Sequence, residues 1–103
     1  SVRQLYVMSQ FQDTDTSQVD VISSLFEGCE IFVVNVDEHY VTKRYLEEQI
    51  VRYGGQKVQN FLPTNTHIVA SHIDYRVRAI IEKHQVNIYQ PSWIIDSIKK
   101  NEL

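Results

Sequence analysis

Residues 31–36, IFVVNV, constrain the fold more than any other stretch of this chain. The run is almost entirely apolar, mostly β-branched, and lacks the alternation of a half-exposed strand. A strand with no polar side has to be covered on both faces, as in a parallel sheet with helices above and below it. The sequence on either side must supply those helices.

The first follows at residues 44–58, RYLEEQIVRYGGQKV, which reads as a helix, a stop and the start of a strand. Leu46, Ile50 and Tyr53 fall on one helical stripe, with Tyr45 and Gln49 beside it. Glu47, Glu48 and Arg52 fall mostly on the far side, and Thr42 is placed to cap the first turn. Gly54 and Gly55 end the helix, because glycine accepts the left-handed conformation that a helix C-terminus commonly needs. Strands are then expected at 57–60, 66–70 and 86–89, with a proline-containing turn at 61–65. Val77, Ile80, Ile81 and His84 are spaced i, i+3, i+4 and i+7, a helical stripe, with Ser71 and Asp74 as candidate caps. Pro91 and Ser92 open a last helix, with Trp93, Ile94, Ile95 and Ile98 as its apolar members. Lys99 and Lys100 stand at its C-terminal end, where the helix dipole favours positive charge. The order β-α-β-β-α-β-α is that of an α/β fold with a mostly parallel sheet.

At 103 residues this is one domain. The compact unit is expected over residues 24–103. Residues 1–23 read as an N-terminal extension, apolar enough at 3–11 to pack on something and polar at 12–18 like an exposed linker. Ser1 in place of a methionine fits a piece cut from a longer chain. No apolar run reaches the roughly 18 residues of a membrane span. The one cysteine, Cys29, fits a reducing compartment. The formal net charge of −3 weighs against gripping a nucleic-acid backbone over a large face.

No constellation meets the geometric roles of an active site. Gly54-Gly55 closes a helix instead of opening one, so the glycines border carbonyls that repel phosphate. His39, His67, His72 and His84 match no zinc spacing; His84 is expected to be partly buried and the other three on the surface. Neighbouring Glu30 would raise the thiol pKa of Cys29 and so disfavour a nucleophile. Ser92 reads as a cap, Asp37-Glu38 as a solvated loop pair, and Trp93 as core.

In order and spacing, four features resemble the BRCT domain across residues 24–103. They are the Leu25-Phe26-Glu27-Gly28 turn, Gly54-Gly55, the Thr66-His67-Ile68-Val69 strand, and Trp93 with Ile94 and Ile98. The resemblance implies a four-stranded parallel sheet flanked by three helices and no catalysis of its own. Residues 22–27, 54–60 and 76–81 are similar to the repeats that follow the catalytic core in ATP-dependent DNA ligases of nonhomologous end joining. That similarity implies a nuclear adapter in double-strand break repair. Its expected partners are the Ku heterodimer and the ligase's coiled-coil scaffold, the latter gripped mainly by regions beyond Leu103. ATP and magnesium would belong to the catalytic part, so no cofactor is expected here.

Many BRCT domains hold phosphoserine with a Ser or Thr and a Gly at the end of the first strand, plus a Thr and a Lys on the second helix. The corresponding positions here are Asn35 and Val36, with Ile80 and Ile81 on the helix and Lys83 as the one cation. Each charge-assisted bond is worth about 1.5–3 kcal/mol, so losing two predicts no tight phosphopeptide binding. The alternative is a phosphopeptide- or DNA-end-binding module of another repair protein. Its candidate basic patch is Arg76, Arg78 and Lys83, with Lys43 and Arg44 as possible additions; the net negative charge favours a solvated face instead.

Overall fold

The structure, a computed structural model, describes residues 14–103. Residues 3–11, expected to pack on something, lie outside the described residues. Four strands follow the expected order: β1 (Glu30–Asn35), β2 (Gln56–Val58), β3 (His67–Ala70) and β4 (Ile88–Tyr89). They form one parallel sheet in the order β2-β1-β3-β4. Three helices connect and flank them: α1 (Lys43–Arg52), α2 (Tyr75–His84) and α3 (Pro91–Lys100). The sheet and helix count agree with the sequence reading; β1 and β2 begin one residue earlier than expected, and the other strand bounds differ by no more than two residues.

β1 is central and its side chains serve two cores. Ile31 and Val33 join Phe26, Leu46, Ile50, Val69 and Ile94 beneath α1 and α3. Phe32 and Val34 join Ile68, Ala70 and Val77 beneath α2. The absence of a polar side in residues 31–34 is thus the signature of a strand buried on both faces.

The caps explain where the helices begin and end. Thr42 accepts a hydrogen bond from the Tyr45 N–H at 3.0 Å, and Asp74 accepts one from the Val77 N–H at 2.9 Å. α1 closes with Tyr53 as its C-cap and Gly54 after it at a φ of +89°, and the Gly55 N–H returns to the Ile50 carbonyl at 2.8 Å. Ser92 does not cap. The N-cap of α3 is Gln90, without a side-chain bond, because Pro91 starts the helix and leaves Ser92 within the first turn.

Two expectations of exposure, at Glu47 and His67, fail for one reason, which is coverage by chain distant in sequence. Glu47 is 0% exposed instead of facing water. The stretch before the first strand lies over α1: the Thr14 hydroxyl donates to Glu47 Oε1 at 2.7 Å, and the Ile22 N–H donates to the Arg52 carbonyl at 2.8 Å. Lys57 Nζ also reaches the Thr14 carbonyl. From Thr14 onward these bonds tie the segment to α1 and β2, while Asp15, Ser17 and Gln18 stay exposed as its polarity implies. His67 is half-buried beneath Trp93, stacked at 4.6 Å and 14° between ring planes, with Tyr89 at 5.0 Å. His84, expected in the stripe of α2, is exposed and lies 4.7 Å from the Phe61 ring.

Candidate interaction site

In an open parallel sheet, ligands sit outside the carboxyl ends of the strands where the strand order reverses. Here that point lies between β1 and β3, because the chain leaves β1 toward β2 on one side and later returns to β3 on the other. Asn35 stands at this point, and it fills the crevice. Its Oδ1 accepts the N–H groups of Ser71 at 2.8 Å and His72 at 3.1 Å. Its Nδ2 donates to the His72 carbonyl at 2.9 Å and to Asp74 Oδ2 at 3.1 Å. Both donors and both acceptor positions of the amide are engaged. Ser71 completes the bridge by accepting the Asp37 N–H on its hydroxyl at 2.8 Å.

A slip in register produces this arrangement. Val33 pairs with Val69, yet Asn35 pairs with Ala70, so β1 carries one extra residue. Such a bulge re-aims the side chains after it. Val36 accordingly packs with the α1 and α3 core, while Asn35 turns to the cap of α2.

The electrostatics of the crevice disfavour an anion. Burial pushes the Asp74 carboxyl upward, but the N–H of Val77, the Asn35 amide and then Arg76 outweigh it and hold its pKa below the usual value. A carboxylate therefore sits where phosphate would have to approach. The structure does not bring Lys83 to Asn35. Asp74 touches Asn35, and Lys83 follows nine residues later, about 13 Å along α2. Ile80 and Ile81 pack against the α2 core.

The basic residues do not gather on one face either. Arg76 and Lys83, seven residues apart, share a side of α2, and Arg78 falls on the other side. Lys43 and Arg44 belong to α1, across the sheet, and Arg44 pairs with Glu48 at 3.0 Å. The remaining marked residues are structural. Gly28 and Gly54 have positive φ, and a Cβ on Gly55 would meet Phe26 Cβ at 2.8 Å. Trp93 packs 5.6 Å from Phe26. Burial pushes the Cys29 thiol up despite a hydrogen bond with Thr66, a different cause from the neighbouring acid expected from sequence. Among the described residues no group of three or more His, Cys, Asp or Glu could hold a metal ion.

The His67 stack has a consequence for pH. Burial lowers its pKa from the usual 6.5, so the unfolded chain binds the proton first. Stability is full above about pH 6.5 and falls as pH drops through the window between the unfolded and folded values. Thermal melts from pH 7.5 to 5 are expected to show this decline, and His67→Phe, which keeps a ring under Trp93, to reduce it. An unchanged slope in that variant contradicts the assignment.

Comparison with known proteins agrees with this architecture. A BRCT domain family model matches residues 24–103. DNA ligase 4 of Dictyostelium discoideum is 33% identical over 99 residues, covering 96% of this chain and 9% of that protein. DNA ligase 4 of Gallus gallus is 29% identical over 97 residues, covering 94% and 10%. The chain thus spans about a tenth of the length of these relatives. Among solved structures, the BRCT domain of human DNA repair protein REV1 superposes with a TM-score of 0.65 at 22% identity, over 89% of each chain. Rad4 BRCT1,2 in complex with a Crb2 phosphopeptide gives 0.65 at 22% identity, over 77% of this chain and 42% of that one. The two-sided β1, the strand order β2-β1-β3-β4 and the family match together place this chain in the BRCT domain family.

Proposed function

We propose that this chain is a non-catalytic protein-interaction domain of an ATP-dependent DNA ligase that acts in nonhomologous end joining, and that it is the first of two such repeats. The observation that carries the proposal is the likeness to DNA ligase 4 along 96% of the chain. The filled crevice adds to it, since the domain's work then falls to its outer surfaces. In this reading the domain acts in the nucleus and needs no cofactor of its own, and its direct partner is the Ku heterodimer. The coiled-coil scaffold is gripped mainly by chain after the domain, so residues 1–103 bind it weakly.

Polarisation assays on residues 1–103 test this with three probes: Ku heterodimer, the scaffold, and duplex DNA at two salt concentrations. Saturable binding is expected for Ku alone. Tight DNA binding with a steep salt slope, which would need several phosphate contacts, favours a DNA-end module instead. Nanomolar scaffold binding by this chain contradicts the assignment of the grip to later regions.

A further inference from the structure

Beside the filled crevice lies a groove of about 310 Å³, between the loop after β1 and the start of α3. Its wall is Tyr40, Val41, Pro91 and Ile95, with Asp37 and Ser71 on the crevice side. Tyr40 is 87% exposed, an aromatic ring with little of its own fold over it. Asp37 is the charged residue that lines the groove. Glu38 and Asp96, both exposed, directly follow lining residues on the same segments. Two cations stand near those acids: the Lys43 N–H donates to Glu38 Oε1 at 3.5 Å, and Lys99 follows Asp96 by three residues on α3, so Asp37 carries the groove's own charge. The larger groove, between the docked N-terminal stretch and α1, mixes Arg44 and Arg52 with Asp15, Asp20 and Glu48, and so selects neither sign.

We propose that the Tyr40–Ile95 groove binds an extended segment of a partner protein in which a lysine or arginine adjoins an apolar residue. The apolar side chain covers Tyr40, Pro91 and Ile95, as a buried anchor at an interface does. The cation meets Asp37, which sets specificity by charge complementarity. The inference rests on the reading of the domain as a protein-interaction module and names the chemistry of its partner.

The test is an NMR titration of the isotope-labelled chain with three synthetic peptides. The first is Gly-Leu-Lys-Arg-Leu-Gly, the second has Glu in place of its Lys and Arg, and the third has phosphoserine there. Only the first is expected to shift Tyr40, Val41 and Ile95. Its affinity is expected to fall about tenfold in Tyr40→Ser and in Asp37→Asn, the second of which keeps an oxygen for the His39 N–H. Equal shifts from the acidic or phosphorylated peptide, no shifts from the basic one, or unchanged affinity in Tyr40→Ser each overturn the proposal. Titration of the same sample with Ku separates the two readings. Ku binding with a silent basic peptide removes the groove and keeps the module, whereas silence from both removes both.

Discussion

Phe26→Ala is expected to lower the unfolding free energy by about 4 kcal/mol, the range for truncating a fully buried aromatic. Phe26 lies in the turn before β1 and is 0% exposed. It joins the core formed by Ile31, Val33, Leu46, Ile50, Val69 and Ile94. Its ring packs against Trp93 at 5.6 Å, so one side chain ties the entry turn to the last helix. The site collapses poorly once it is emptied, because sheet and two helices form its walls and interiors are close-packed. Domains of this size have total stabilities of about 5–15 kcal/mol, so the variant sits near the unfolding threshold. A melting temperature lower by roughly 15–30 °C is the expected reading by circular dichroism. A drop of a few degrees contradicts the placement of Phe26 at the centre of this core.

Gly54→Ala is expected to cost about 3 kcal/mol through two additive causes. The first is conformational: φ is +89°, where an L side chain pays about 1–2 kcal/mol. The second is steric: the added Cβ would lie 2.7 Å from the Ser23 carbonyl oxygen and 3.1 Å from Ser24 Cα. Those are backbone atoms of the segment that leads into Phe26, whose own N–H donates to the Tyr53 carbonyl at 2.8 Å. Relief therefore requires moving the entry turn off the end of α1. Gly28→Ala isolates the first cause, since φ there is +82° and the added Cβ meets nothing within 4 Å. The expected order of melting temperatures is native, then Gly28→Ala, then Gly54→Ala. Equal losses in the two variants show that the contact at Ser23 does not matter.

Elements built from local pattern were legible in the sequence. The two-sided run at β1, the stripe of α1, Thr42, Asp74 and the glycine stop each carry their signal within a few residues. What the sequence hid depends on distant chain. Nothing near Glu47 marks it as buried, because its cover is Thr14 and the stretch after it, 33 residues upstream. Nothing near His67 announces Trp93, 26 residues downstream on α3. Asn35 was legible as a position but not as a plug, because the one-residue slip in β1 that aims it at Ser71, His72 and Asp74 arises from pairing with β3. Lys83 read as a neighbour of that site, yet α2 begins at the site and carries Lys83 away from it.

In the proposed function the Asn35–Asp74 bridge fills the position a phosphate would need and leaves the outer surface to bind unmodified protein. Calorimetric titration of the chain with a phosphoserine peptide library tests it most directly. No saturable heat is expected at peptide concentrations up to about 100 μM, because the donors of Asn35 are engaged and a carboxylate faces the site. Binding at about 1 μM or tighter, abolished by Lys83→Ala, would contradict the claim.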